Sequence, residues 1–215
     1  MSLIDVLIGF LKLINPIQII IIITLIYSLL KIDFKVTQQR LLFLILLVAF
    51  LCEFFSNLLI VCNSNINIVY NICFILNNSL WIILIYSILK SKYIKYTLLL
   101  YLIFCFFNLF FYEKEELNYL TFISGAIIYL LIYLIAIKKM LQNETKSNNN
   151  NLILISAPVF IFIGLSLIFA FRSSEIIFSK IFYGIYIYDF IIYFVNTIYY
   201  LFIFYYTYKS KKINV

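Results

Sequence analysis

Seven long apolar stretches separated by short polar breaks dominate the chain, at about residues 16–34, 41–61, 66–89, 96–112, 118–137, 152–171 and 184–208. A helix that crosses a bilayer needs about 20 mostly apolar residues, because the hydrocarbon is about 30 Å thick and each residue rises about 1.5 Å. The runs lack the strict alternation of a barrel strand, and an open strand edge in lipid leaves backbone groups without partners. The pattern therefore predicts an all-α fold: a polytopic bundle of seven transmembrane helices, forming one transmembrane domain over residues 1–215.

The breaks carry their own signals. Ser2, Asp5, Gly9 and Lys12 recur at helical spacing among Leu3, Ile4, Val6, Leu7, Phe10 and Leu11. That spacing predicts an amphipathic helix over 1–14, lying in the membrane interface as an anchor or lid. Asn15-Pro16 reads as a cap followed by a first-turn proline. The hydrophilic segment Gln142 to Asn151, ending in four asparagines, reads as a flexible loop.

Basic residues then orient the bundle, since short cytoplasmic loops collect Lys and Arg. Twelve of the 16 follow the first, third, fifth and seventh segments: Lys31, Lys35, Arg40; Lys90, Lys92, Lys95; Lys138, Lys139, Lys146; and Lys209, Lys211, Lys212. The other side holds Lys12, Lys114, Arg172 and Lys180 with the acidic Asp5, Glu113, Glu115, Glu116 and Glu175. The amino terminus is expected outside and the carboxyl terminus in the cytoplasm.

Composition sharpens the class. Of 215 residues, 66% are apolar and 12% charged, whereas soluble domains carry about a quarter charged. The net charge of +7 is dispersed between apolar segments, unlike the clustered basic face of a nucleic-acid binder, so the expected partner is the lipid bilayer. No basic start and no small-x-small cleavage site open the chain, so a signal peptide is not expected. Cys52, Cys62, Cys73 and Cys105 lie in or beside apolar runs, without a Cys-x-x-Cys pair or any histidine. They read as reduced packing residues, a Cys62–Cys73 disulfide being the alternative, and neither a metal nor a cofactor is expected.

The absence of histidine excludes bis-histidine haem, the His-Glu-x-x-His protease motif and the Ser-His-Asp relay. The last apolar segment lacks a central lysine for retinal, and the four glycines form no phosphate-binding loop. The chain is not expected to be an enzyme; the remaining enzymatic alternative is a carboxylate pair acting on a lipid or water.

An ionisable group within hydrocarbon costs at least about 2.5 kcal/mol, so each calls for a reason. Glu53 and Asp189 fall within the apolar runs, both in the half expected to face outward. Polar residues share their faces: Asn57 follows Glu53 at i+4, Asn71 and Asn78 are seven apart, and Asp189, Tyr193, Asn196 and Tyr200 recur at helical intervals. Together these predict an outward-facing pocket, for a ligand or a proton, lined by the second, third and seventh crossings. The alternative is that the asparagines join helices, each bond contributing about 0.6 kcal/mol. A faint repeat aligns Asn77, Trp81, Tyr86 and Lys90-Ser91-Lys92 with Asn196, Tyr200, Tyr205 and Lys209-Ser210-Lys211, as in small transporters built as three plus one plus three helices.

With the residues Glu53, Ser56 and Asn57, then Pro158, Phe160 and Gly164, then Asn196 and Tyr200, the chain resembles an uncharacterised family of small seven-helix membrane proteins from Bacteroidetes-type bacteria. The resemblance implies the bacterial inner membrane, and it differs at Asn77, where that family often has a glutamate. The functional expectation is a non-enzymatic, receptor-like or signalling-associated protein whose pocket binds a small molecule or a partner helix and which acts on a cytoplasmic or membrane partner. The alternative is a small-solute or proton-coupled transporter.

Overall fold

The computed structural model describes residues 3–112, 116–142, 146–172, 175–181 and 184–210, apart from the side chains of 3–7, 146–148 and 176. Eight α-helices account for most of them: α1 Leu3–Lys12, α2 Pro16–Lys31, α3 Thr37–Val61, α4 Asn67–Leu89, α5 Lys92–Phe107, α6 Tyr119–Gln142, α7 Lys146–Ala170 and α8 Ile187–Ser210. A π-helical turn, Asn108–Tyr112, prolongs α5, and a 3-10 turn, Glu175–Phe178, precedes α8.

Six helices, α3 to α8, are long and apolar enough to cross a membrane, making this a helical multi-pass membrane protein. The first expected crossing, 16–34, yields the shorter helix α2 of 16 residues, about 24 Å at 1.5 Å per residue. Its ends explain the length. Asn15 and Gln18 form a reciprocal capping box ahead of Pro16, satisfying two of the orphan amides of the first turn. At the other end Ile32 turns extended, with φ −75° and ψ 135°. The next amide, that of Asp33, donates to Gln39 Oε1 of α3 at 2.6 Å.

The expected loop over Gln142 to Asn151 is corrected in part. Residues 143–145 lie outside the described set, but Lys146–Asn151 form the first turns of α7. Asparagine is a poor interior helix former yet suits an N-terminal turn, and Asn150 is buried against the bundle.

Successive helices run in opposite directions. Gln18 of α2 meets Glu53 of α3; Asn71 of α4 bonds the segment leading into α6; Tyr129 of α6 bonds Ile155 of α7; and Tyr27 stacks on Phe204, setting α2 parallel to α8. One end of the bundle thus gathers Asn15, the α3–α4 turn and the start of α8. The opposite end gathers Lys31, Lys90, Lys139 and Lys209 at the ends of α2, α4, α6 and α8, where cations also complement the helix dipoles. Helix α1 lies at the first end, Phe10 packing edge-on against Phe54 with ring centroids 5.3 Å apart.

Neighbour relations close a ring: α2 packs on α3, α3 on α4, α4 on α6, α6 on α7, α7 on α8, and α8 returns to α2. Helix α5 stands outside it, against α4 and α6. Small residues set the seams, as expected where lipid supplies no hydrophobic drive between helices. A Cβ at Gly164 of α7 would fall on Val195 Cγ1 of α8, and one at Gly125 of α6 would fall on Asn78 Nδ2 of α4.

Candidate functional site

The ring encloses a cavity of about 530 Å³, a size suited to a small organic ligand. All six ring helices or their leading segments line it, and α5 contributes nothing. Its mouth lies among Asn15, Ile66, Asn67, Leu117 and Tyr188, at the end away from the lysines. Deeper, the wall is Glu53 and Cys52 of α3, Tyr70, Cys73 and Asn77 of α4, and Asn196 and Tyr200 of α8. The side facing α7 is apolar, with Ile161, Phe162, Leu165 and Phe169.

Toward the lysine-rich end the chamber stops. There Leu46, Ile85, Leu154, Ile155 and Ile203 fill the interior with no exposed surface. Some polar groups at that level are bound across helices: Tyr129 Oη donates to the Ile155 carbonyl at 2.6 Å, and Tyr133 Oη pairs with Ser156 Oγ at 2.8 Å, whereas Ser28 Oγ and Asn150 Oδ1 are buried without a partner among the described residues. Thr207 Oγ1 donates to the Ile203 carbonyl of its own helix at 2.9 Å.

Among the described residues, Glu53 is the only acidic or basic one in the cavity wall. Gln18 Nε2 donates to Glu53 Oε2 at 2.9 Å. The same amide's Oε1 accepts from Asn57 Nδ2 at 3.0 Å and from the Asn15 backbone at 3.3 Å. The capping box of α2 and the membrane carboxylate of α3 therefore form one network. An ionised carboxylate offers about four acceptor sites, and among the described residues Gln18 is the sole hydrogen-bond partner.

The expected site residues divide. Glu53, Asn196 and Tyr200 share the chamber wall, and Asn57 reaches it through Gln18. Asn71 instead ties α4 to the start of α6: its Nδ2 donates to the Glu116 carbonyl at 2.9 Å, and its Oδ1 accepts from the Asn118 amide at 2.7 Å. Asn78 is fully buried behind the wall, donating to Tyr101 Oη at 3.0 Å and to the Phe122 carbonyl at 3.4 Å. Asp189 sits in the first turn of α8, where the dipole favours an acid, and Tyr193 is exposed on the bundle's outer surface. Neither lines the chamber.

Gln18, Tyr70 and the Cys52–Cys73 pair were not expected at the site. The two thiols lie against each other across the α3–α4 seam, and all four cysteines are free. Asn77, seen in sequence only through the repeat and the family difference, faces the cavity beside them.

A second, smaller hollow of about 210 Å³ opens on the outer flank of α2 and α3, beneath α1. Phe10, Ile14, Ile22, Phe50 and Phe54 line it, and Gln18, Glu53 and Asn57 form its polar spot. Ile21 and Glu53 belong to both hollows, so the carboxylate stands in the partition between them.

These features define the class as a helical multi-pass membrane protein with an internal chamber whose wall carries, among the described residues, a single carboxylate. No protein-family model, curated protein or solved structure matches the chain.

Proposed function

We propose that this chain is a receptor-like protein of the bacterial inner membrane, crossing it seven times with the amino terminus outside. In this arrangement α2 is the first crossing, spanning with the help of Asn15-Pro16 and the Ile32 turn, and the lysine-rich end faces the cytoplasm. The chamber then opens outward and holds a small molecule at Glu53, Asn77, Asn196 and Tyr200. Binding shifts the packing of the ring, and the cytoplasmic turns present that shift to another protein.

The observation that carries this reading is the closed floor. A binding protein needs only an outer chamber, whereas a conduit needs polar groups that continue to the far side. Here the fully buried Leu46, Ile85, Leu154, Ile155 and Ile203 fill the interior below the chamber, although Ser28, Asn150, Thr207 and Ser210 are buried toward the same end, and the chamber lining does not continue to them among the described residues.

A transporter of three-plus-one-plus-three type is the second reading, and the seams favour it. The contact of α4 with α6 has its counterpart in that of α8 with α2, while α5 stands apart as the linking helix. Asn77 and Asn196, equivalent in the sequence repeat, both face the chamber. Uptake into proteoliposomes separates the two. Under an imposed pH gradient and a panel of radiolabelled sugars, amino acids and amines, a receptor shows no accumulation in wild type or Glu53→Gln. Accumulation abolished by Glu53→Gln overturns the receptor reading.

A further inference from the structure

We infer that the chamber's ligand is a membrane-dissolved amphiphile with a cationic amine head, seated against Glu53 and reaching it from the bilayer between α2 and α3. The inference rests on the chamber being a ligand site. Four observations lead to the ligand class.

Among the described residues, the chamber wall holds one carboxylate and no lysine or arginine. A partly buried carboxylate without a cation, set within the hydrocarbon layer, is costly in a medium of low dielectric, and a ligand ammonium supplies the missing charge together with hydrogen-bond donors. Glu53 has spare acceptor capacity, because Gln18 engages only Oε2.

The surroundings suit an organic cation rather than a metal ion. Tyr70 and Tyr200 share the wall with Glu53, offering ring faces that attract ammonium groups. No metal-binding cluster of acidic or sulfur groups occurs among the described residues. Opposite, Ile161, Phe162, Leu165 and Phe169 provide an apolar bed for a hydrocarbon body.

The flank hollow supplies the route. It is almost wholly apolar, lies on the side of the bundle, and meets the chamber at Ile21 and Glu53. A chain dissolved in the membrane finds there a greasy recess whose polar spot, formed with Gln18 and Asn57, holds the carboxylate that its head requires. The Gln18–Glu53 bond closes the seam, and a head group replaces it by giving Glu53 a charged donor in place of an amide.

The protein carries a built-in reporter. Trp81 is the only tryptophan, is fully buried away from lipid, and has its ring 6.0 Å from that of Tyr199 in the chamber wall. The full chain in phosphatidylcholine nanodiscs is titrated with 11-bromoundecylamine and with its neutral counterpart 11-bromoundecanol, compared at equal membrane mole fraction. The amine is expected to quench Trp81 saturably and at least about tenfold more tightly than the alcohol, the scale of a charge-assisted bond. Glu53→Gln removes the preference, and Glu53→Asp, which keeps the charge, retains it. Ile22→Phe, which fills the flank hollow without touching the chamber wall, slows the onset of quenching while leaving its saturating level.

Equal quenching by amine and alcohol overturns the cationic head while leaving a ligand chamber intact. An onset rate unchanged by Ile22→Phe overturns the bilayer route. No saturable quenching by either probe overturns the inference as a whole, whereas the receptor reading stands or falls on the uptake experiment.

Discussion

At the scale of single residues, the bundle depends on a few polar groups that meet across helices. Gly125 shows how little room they have. A methyl there would fall on Asn78 Nδ2 and stand 2.7 Å from Tyr101 Oη, separating the side chains that bond to each other and to the Phe122 and Thr121 carbonyls. Gly125→Ala is expected to cost about 2–3 kcal/mol through lost buried hydrogen bonds and overpacking. A thiol-reactive dye assay of thermal unfolding in detergent reads this as a clear drop in midpoint. The sequence made Glu53 conspicuous because a charge in an apolar run stands out whatever surrounds it. Asp189 stood out on the same ground, but its place in the first turn of α8 gives it a local reason to be acidic. Gln18 was silent: a lone amide near a helix start reads as a cap, and its second role depends on which face of α2 turns toward α3.

At the scale of elements, caps and turns decide lengths that hydropathy leaves open. Removing the Asn15 side chain deprives the Gln18 amide of its acceptor at 3.0 Å and loosens the residue that holds Glu53. Asn15→Ala is expected to cost about 1 kcal/mol in a denaturant titration, with Asn15→Ser restoring most of it. Apolar runs placed the cores of the helices well, since each run had to be removed from water. Their ends were less legible. Ile32 and Phe34 are apolar and were counted into the first crossing, yet the chain turns there because Asp33 finds a partner in Gln39. The asparagines before Leu152 read as a loop by composition, although burial of Asn150 lets helix α7 begin earlier.

At the scale of the whole molecule, hydropathy and charge indicate how many segments turn back and forth, but not which become neighbours. The ring order, and the exclusion of α5 from it, follow from side-chain packing between segments far apart in sequence. So does the chamber, which needs walls from six helices at once. The side on which it opens is open to direct test. Cys62 is exposed in the α3–α4 turn, while Cys52 and Cys105 are buried. An impermeant maleimide is expected to label Cys62 in intact cells. Lys90→Cys in a Cys62→Ser background is expected to react only after the membrane is permeabilised, and the reverse result inverts the bundle.

The position of α5 carries one more consequence. This helix lines no part of the chamber but packs on α4 and α6, which do, so its broad outward face, with Tyr96, Leu100, Ile103 and Phe107 exposed, is separated from any occupant of the interior by one layer of helices. Neighbouring molecules crowding that flank, or a bilayer changing thickness around it, meet the chamber through that layer, where Tyr101 of α5 bonds Asn78 of α4 and the Thr121 carbonyl of α6.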